Sequence, residues 1–185
     1  AGLLSKTYGI SDLISFDMGG TTAKACLIQD GEPLITGEFE VDRRYRFKPG
    51  SGMPITVPSV DMIEIGAGGG SIARVDDLGL LKVGPDSAGS SPGPACYGLG
   101  GKQPCVTDAD VFLGILDPEN FLGGSMPLNV DSCKSAINSL AKSLDVSDER
   151  AAYGIYSLVG ETMAAAARTH ATERGVSYRG LPLLA

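Results

Sequence analysis

The order of apolar and polar positions predicts strands in the first part of the chain. Residues 13–17 form a short apolar run that stops before glycines, which is typical of a buried strand, and residues 24–29 form a second apolar run. Asp30-Gly31 is a hairpin signal, so residues 32–41 are predicted to return as a third strand. The first forty residues therefore predict an antiparallel meander.

A further strand and a hairpin are predicted in the middle of the chain. Residues 57–65 alternate nearly regularly in polarity, and residues 72–75 and 80–83 flank the turn signal Asp-Asp-Leu-Gly. Residues 84–101 are rich in Gly, Pro and Ser and are too long for an ordinary connection. Long ordered loops are usually functional, so this segment is a candidate part of a site.

Three helices are predicted after this loop. Thr107 begins the first, because acidic residues favour a first helical turn and apolar residues follow on one face. Residues 131–144 carry apolar side chains at spacings of three and four. Ser147 is predicted to cap the longest helix, which runs to Arg174, ends at Gly175 and is expected to pack on the sheet.

Composition adds two constraints to this pattern. Glycine accounts for 26 of 185 residues, about twice its usual share of roughly 7%, and it is concentrated in loops of the kind that often wrap ligands. The net charge of −7 argues against a protein that binds nucleic acid or a membrane surface. A basic cluster, Arg43, Arg44, Arg46 and Lys48, is predicted to form a solvated loop or hairpin.

The cysteines and the apolar segments of the chain bear on the cellular compartment, and its ends bear on its completeness. Four cysteines without Cys-x-x-Cys spacing, and a single histidine, do not complete a common zinc set. The sequence contains neither a secretory apolar segment nor a membrane-spanning run, so a cytoplasmic protein with reduced thiols is predicted. It starts without Met and ends on an apolar run, residues 181–185, which predicts a buried strand and a fragment of a longer chain.

The motif DMGGTT, between the first two predicted strands, is the strongest local signal for chemistry. Gly19 and Gly20 allow backbone N–H groups to approach phosphate oxygens without a Cβ in the way, and Thr21 and Thr22 add hydroxyl donors. Asp17, at the strand end, can hold a magnesium ion through water. A plain tight hairpin with an acidic residue is the alternative. No Walker loop is present.

A second motif, GAGGGS at residues 66–71, follows a predicted strand. Gly68, Gly69 and Gly70 permit a nest of N–H groups that faces an anion or a substrate carbonyl. They equally permit a bulge where two backbones cross closely, and the sequence leaves both interpretations open. A dinucleotide-binding fingerprint is excluded because Ser71 stands where its last glycine belongs.

The third motif, VGPDSAGSSPGPACYG at residues 83–98, is followed closely by VTDAD. Its prolines restrict the backbone conformations that its glycines would otherwise allow, so an ordered loop is predicted. Cys96 is a candidate nucleophile within it, but no paired base is evident, and a small buried thiol is the preferred interpretation.

Taken in order, DMGGTTAK, IGAGGGSIARVD, VGPDSAGSSPGPACYG and VTDAD resemble the hydantoinase/oxoprolinase family. That family comprises the A subunits of ATP-dependent N-methylhydantoinases, the matching half of 5-oxoprolinase, and related acetone- and acetophenone-type carboxylase subunits. The resemblance extends from residue 13 to residue 184. One departure is Cys105, which stands where the family commonly has Thr.

The resemblance implies an α/β fold, one lobe of an actin-like ATPase (ribonuclease H-like), with a mixed sheet begun by the meander and covered by helices. Residues 1–185 are then a hydantoinase A-type domain fragment that carries the second of two phosphate hairpins. The N-terminal lobe with the first hairpin, and the adenosine motif expected just after Leu184, are absent from this sequence.

The function that the resemblance implies is ATP-dependent ring opening of a cyclic amide, such as a hydantoin or 5-oxoproline, through phosphorylation of its carbonyl oxygen. ATP and Mg²⁺ are the implied cofactors, and a hydantoinase B-type subunit or domain is the implied partner. Alternatives are the nucleotide-binding subunit of an acetone- or acetophenone-type carboxylase and a non-catalytic nucleotide-binding scaffold.

The resemblance also implies roles for individual residues. Asp17 is assigned to magnesium or water, and Asp108 is assigned as a polar partner in the same cleft or, alternatively, as a helix N-terminal acid. Asp17, Thr22 and Asp108 are thus the candidate catalytic residues. The candidate nucleotide-binding residues are Gly19, Gly20, Thr21, Thr22, Gly68, Gly69 and Gly70.

Overall fold

The structure is a computed structural model that describes residues 1–42, 44–45 and 50–185. Three members of the basic cluster, Arg43, Arg46 and Lys48, lie outside the described residues. The predicted solvated loop at this cluster therefore stays a prediction.

The helices of the described residues are α1 (Gly2–Tyr8), α2 (Val106–Phe112), α3 (Val130–Leu144) and α4 (Asp148–Glu173). The strands are β1 (Leu13–Met18), β2 (Ala23–Gln29), β3 (Glu32–Pro33), β4 (Ile35–Thr36), β5 (Phe39–Val41), β6 (Met53–Ile55), β7 (Ser59–Val60), β8 (Met62–Ile65), β9 (Ser71–Val75), β10 (Leu81–Ser87) and β11 (Leu183–Leu184). Within this described part, no helix has both the length and the apolar character needed to cross a membrane.

The described chain divides into two compact units. The first comprises Ala1–Asp17, Lys24–Ile63 and Ala167–Ala185, and the second comprises Met18–Ala23 and Glu64–Ala166. Most of the predicted motifs therefore fall in the second unit, which begins immediately after Asp17.

A mixed sheet organises the first unit. The strands lie in the order β11-β1-β2-β3, and β8 also pairs with β2. β1 runs parallel to β11, whereas β2 runs antiparallel to β3, which confirms the predicted mixed sheet. Ile14, Ala25 and Leu27 form a buried cluster with Ala171 of α4. The end of the long helix therefore packs on the sheet, as its apolar stripe predicts.

The hairpin between β2 and β3 is confirmed, but the predicted third strand is not continuous. Asp30 and Gly31 both have positive φ, at 50° and 79°, which suits a tight hairpin turn. Residues 32–41 then break into three short strands. Pro33, which has no N–H to donate, is the last residue of β3, and the N–H of Leu34 makes one further bond to the oxygen of Leu27 at 3.3 Å. β4 pairs with β7 instead, and β5 pairs with β6.

The two ends of the chain also differ from the prediction. Gly2–Tyr8 forms a helix that the sequence pattern does not indicate, and Gly9 ends it in a left-handed conformation with φ 65°. The C-terminal strand is present as β11, but the prediction that it is buried is wrong for Leu183, which is 63% exposed.

The second unit combines a hairpin with helices. β9 and β10 pair antiparallel, and the carboxylate of Asp76 accepts hydrogen bonds from the N–H groups of Leu78 and Leu80 at 3.0 and 2.9 Å, which closes the predicted turn. α3 contacts both α2 and β9. Its buried face holds the apolar residues predicted from their spacing, namely Ala136, Ile137, Leu140 and Ala141 together with Cys133.

The role of Cys105 as the N-cap of α2 can be tested directly by substitution. Cys105 occupies the N-cap, is fully buried, and forms a capping box with Asp108. Sulfur is a weak acceptor, whereas a threonine hydroxyl is a preferred N-cap group. We expect Cys105→Thr to stabilise the protein by about 0.5–1 kcal/mol, measured as a higher urea midpoint. Cys105→Ala, which leaves the N-cap without an acceptor, is the control and should lower the midpoint; equal midpoints for both variants contradict the capping role.

Candidate functional site

The turn between β1 and β2 is anchored through two of its carbonyl groups. The N–H of Gly69 donates to the oxygen of Gly19 at 3.0 Å, and the N–H of Gly70 donates to the oxygen of Gly20 at 2.7 Å. The N–H of Gly19 donates to the oxygen of Thr22 at 2.9 Å and closes the turn. The first two sequence motifs thus meet in space, backbone against backbone.

These two anchors determine where the next N–H groups point. In a trans peptide the C=O and the following N–H point in opposite directions. Because the oxygens of Gly19 and Gly20 face the glycine segment, the N–H groups of Gly20 and Thr21 point away from it. Both residues are exposed, and neither N–H finds an acceptor among the described residues. Successive N–H groups that face solvent form an anion-binding concavity.

The glycine segment is packed too closely for side chains. A Cβ on Gly68 would lie 2.6 Å from the oxygen of Gly19 and 2.7 Å from the nitrogen of Thr21. A Cβ on Gly70 would lie 2.9 Å from the oxygen of Gly20. Real Cβ atoms do not approach backbone atoms this closely, so glycine is required for the crossing.

The N–H groups of this segment are all used inside the second unit. The N–H of Gly68 donates to the hydroxyl of Ser71 at 2.9 Å, and those of Gly69 and Gly70 hold the turn. Of the two open interpretations, the close backbone crossing is therefore correct. An N–H nest at residues 68–70 is wrong, because each of these donors already has an acceptor. Any contact of these glycines with a phosphate or a substrate stays a prediction, and it cannot use these N–H groups.

Thr107 links the glycine segment to α2. Its backbone N–H and its hydroxyl both donate to the oxygen of Gly69, at 2.8 and 2.9 Å, and the residue is buried. The sequence pattern marks Thr107 only as a helix start. The only signal in the sequence was the position of Thr107 next to Asp108, because the contact with Gly69 cannot be read from the sequence.

Asp108 is a fully buried carboxylate that organises the third motif. Its oxygens accept hydrogen bonds from the backbone N–H groups of Ala95, Cys96 and Cys105 at 3.1, 2.7 and 2.8 Å. Charge-assisted bonds of this kind offset the cost of burying the charge. The interpretation of Asp108 as a helix N-terminal acid is confirmed, while its role as a catalytic partner stays a prediction.

Asp17 lies at the exposed end of β1, directly before the turn. Its carboxylate takes part in no ion pair or hydrogen bond within the described ranges. No group of three or more His, Cys, Asp or Glu side chains among the described residues is arranged to hold a metal. A single carboxylate nevertheless fits magnesium, which keeps several waters and is held largely by substrate phosphates. Thr21 is exposed, and Thr22 is half-buried.

The thiol of Cys96 is buried, as the preferred interpretation predicts. Cys96 has no exposed surface, and burial together with the neighbouring Asp108 carboxylate raises its pKa far above the usual range for a thiol. The thiolate is the nucleophilic form of cysteine. This environment therefore disfavours covalent catalysis by Cys96.

Comparison with known proteins adds independent information. Residues 1–185 match the family model described as hydantoinase/oxoprolinase. The chain is 43% identical over 186 residues to the caprolactamase subunit alpha of Pseudomonas jessenii, covering 100% of this chain and 25% of that subunit. It is 39% identical over 183 residues to the acetophenone carboxylase gamma subunit of Aromatoleum aromaticum strain EbN1, covering 95% and 24%.

A solved structure matches as well. The crystal structure of the ATP-dependent caprolactamase from Pseudomonas jessenii superposes with a TM-score of 0.81 at 41% identity, covering 98% of this chain and 25% of that chain. The predicted α/β fold of the actin-like ATPase type is thereby confirmed. The chain spans about a quarter of the length of the caprolactamase and carboxylase subunits that it matches and about an eighth of the length of the 5-oxoprolinases.

The glycine crossing predicts a contrast between two glycines. Gly68→Ala should destabilise the protein by about 1–3 kcal/mol, because its Cβ meets the backbone of residues 19–21. Gly20→Ala is the matched control, since no atom lies within 4 Å of its Cβ, and it should change stability by less than about 0.5 kcal/mol. Urea denaturation measures both, and similar midpoints for the two variants would refute the crossing.

The buried thiol predicts tolerance at Cys96. Cys96→Ala and Cys96→Ser should retain the turnover of the complete protein within about threefold, roughly 0.7 kcal/mol by the rate relation. Mass spectrometry of the wild type during turnover should show no substrate adduct on this cysteine. An inactive but folded Cys96→Ala, together with an adduct in the wild type, would establish covalent catalysis instead.

Proposed function

Since the chain belongs to the hydantoinase/oxoprolinase family, we propose that it supplies a phosphate-binding turn to an enzyme that uses ATP to open the ring of a cyclic amide. Hydantoin, 5-oxoproline and caprolactam are the candidate substrates; the last is named by a relative that is 43% identical. The observation that carries the proposal is the pair of outward N–H groups of Gly20 and Thr21, which two buried anchors hold in place.

The proposed reaction explains why ATP is needed to hydrolyse an amide. An amide carbonyl is a poor electrophile, so its oxygen first attacks the γ-phosphorus of ATP, and ADP leaves. Water then adds to the activated carbon, and the C–N bond breaks with a proton going to nitrogen, which leaves an acyl phosphate. A second water hydrolyses the acyl phosphate to the carboxylate and inorganic phosphate. Catalysis of the phosphoryl step is mostly positioning and stabilisation of charge.

The turn residues have defined parts in that step. The N–H groups of Gly20 and Thr21 bind phosphate oxygens, and the hydroxyl of Thr21 adds a donor. Because the donors belong to the backbone and are anchored from behind, they need no reorganisation when charge develops on the phosphoryl group. Thr22 closes the turn through its carbonyl and is proposed to support the same phosphate.

Asp17 is the proposed acid of the site. Its exposed carboxylate binds a magnesium ion through water or positions a water directly. The ion would neutralise phosphate charge when bound. Asp108 acts on this site from a distance in the proposal, because its carboxylate is occupied by three backbone donors and holds the loop that flanks α2.

A carboxylase is the second candidate function. The 39% identity to an acetophenone carboxylase gamma subunit favours it, since phosphorylation of a carbonyl oxygen also serves attack on activated carbon dioxide. A scaffold that binds nucleotide without turnover is a third. If the protein is a hydrolase, the proposed partner is a hydantoinase B-type subunit. We also propose a cytoplasmic location, because the described cysteines form no disulfide bonds.

The functions separate in one set of assays on the complete protein with its copurifying subunits. ATP turnover that requires a cyclic amide supports the hydrolase. Turnover that requires a ketone and bicarbonate identifies the carboxylase. Nucleotide binding with neither activity identifies the scaffold.

Asp17→Asn should lower ATP-coupled turnover by at least about 100-fold, roughly 2.7 kcal/mol by the rate relation. The melting temperature should change little, because the side chain is exposed. Asp77→Asn is the control, since Asp77 is an exposed acid in the β9–β10 turn, and it should leave both quantities unchanged. Turnover of Asp17→Asn within threefold of the wild type would exclude the proposed role.

A further inference from the structure

A groove of about 340 Å³ opens on the second unit. Its lining comes from α2, from the middle of α4 and from Met18, the residue directly before the phosphate-binding turn. The volume lies at the low end of the roughly 300–1,000 Å³ that is typical of small-molecule sites. The residues that matter for its chemistry are Met18, Val106, Asp110, Tyr156, Glu161 and Met163.

The walls of the groove are largely apolar, and the carboxylates that line it belong to Asp110 and Glu161. Met18, Val106 and Met163 supply apolar surface, while Asp110 lies on α2 one turn after Val106. Asp110 is half-buried, and its carboxylate accepts no hydrogen bond from the described part of the chain. This environment contrasts with that of Asp108, whose carboxylate holds three backbone donors.

A half-buried acceptor without a donor is costly for the fold. Burial alone raises the pKa of Asp110 to about 6, from a usual value near 3.8, because the charged form loses hydration and gains no partner. The other titratable groups that line the groove are Tyr156 and Glu161. Carboxylates kept in such surroundings are found preferentially at functional sites. The missing partner is therefore a donor that a ligand brings.

We propose that this groove is the subsite for the ring of a cyclic amide that bears an N–H, with Asp110 accepting the ring N–H and Met18, Val106 and Met163 contacting the ring methylenes. The proposal rests on the proposed function and specifies its substrate class. An amide has one donor and one acceptor on neighbouring atoms. In a small ring the amide is cis, so its N–H and its carbonyl lie along the same edge of the ring. With the N–H on Asp110, the carbonyl lies next to this carboxylate in the groove, which is also lined by Met18, the immediate chain neighbour of the phosphate-binding turn.

The geometry predicts selectivity against methylated amides. A ring nitrogen that carries a methyl group has no proton to give Asp110 and adds bulk at the point of contact. N-Methylcaprolactam should therefore have a KM at least tenfold higher than ε-caprolactam, whereas the KM for ATP should be the same with either amide. The same comparison applies to 5-oxoproline or hydantoin if one of these is the amide turned over, with the methyl group placed on the nitrogen of the amide that is opened.

The test is Asp110→Asn in the complete protein with its copurifying subunits, with Asp77→Asn as the control. At pH 8, Asp110→Asn should raise the KM for the N–H amide at least tenfold, keep the KM for ATP within twofold, and reduce the preference over the N-methyl amide. The control should change none of these values.

A second measurement does not depend on activity. Above pH 6 the folded wild type carries a charge on Asp110 that burial disfavours, whereas at about pH 3 this group is largely protonated in the folded and the unfolded states alike. Asp110→Asn should therefore raise the melting temperature at pH 8 but much less at about pH 3. Stabilisation at pH 8 with loss of amide binding is the pattern of a residue retained for function.

The outcomes separate this subsite from the proposed function. If the wild type turns over a cyclic amide but Asp110→Asn has the same amide KM, the function stands and the subsite is overturned. If a segment of another subunit covers the groove, the variant changes assembly without changing the amide KM, which also overturns the subsite. If the wild type turns over none of ε-caprolactam, 5-oxoproline and hydantoin, both proposals fail.

Discussion

Two hydrogen bonds between glycine backbones determine the geometry of the candidate site. The N–H groups of Gly69 and Gly70 donate to the carbonyls of Gly19 and Gly20. Because each peptide group is planar, the N–H groups that follow these two carbonyls must point to the opposite side of the turn. The crossing is possible only without Cβ atoms at Gly68 and Gly70. The density of glycine in this part of the chain thus reflects close packing of main chain and not loop flexibility.

Further hydrogen bonds hold the glycine segment and the loop next to it. Thr107 donates twice to the oxygen of Gly69, and the N–H of Ala88 donates to the oxygen of Gly70 at 2.9 Å. Asp108 then holds the loop at Ala95 and Cys96. A buried carboxylate that loses any of these donors would keep its desolvation cost without compensation. The three backbone donors explain how Asp108 can be fully buried at this position.

The sequence predicted the elements that depend on periodicity and missed those that depend on tertiary contacts. β1, β2, the Asp30-Gly31 turn and the two long helices follow from local patterns and were predicted. α1 was missed because it has no capping side chain and no acidic residue in its first turn, whereas α2, which is equally short, has Asp108 there. The motif at residues 17–22 could be identified as a phosphate-binding candidate, but the choice between nest and crossing at residues 68–70 required knowledge of what faces them. Asp110 looked like an ordinary helix acid because its lack of a partner is a property of the fold.

Side-chain substitutions cannot remove the donors of the proposed phosphate-binding turn, because these donors belong to the main chain. Alanine scanning removes side-chain atoms, and at Gly20 there are none to remove, so a scan of this kind passes over the N–H groups that are proposed to bind phosphate. Replacement of a single amide by an ester deletes one N–H and keeps the chain geometry, so it would detect the contribution of each donor.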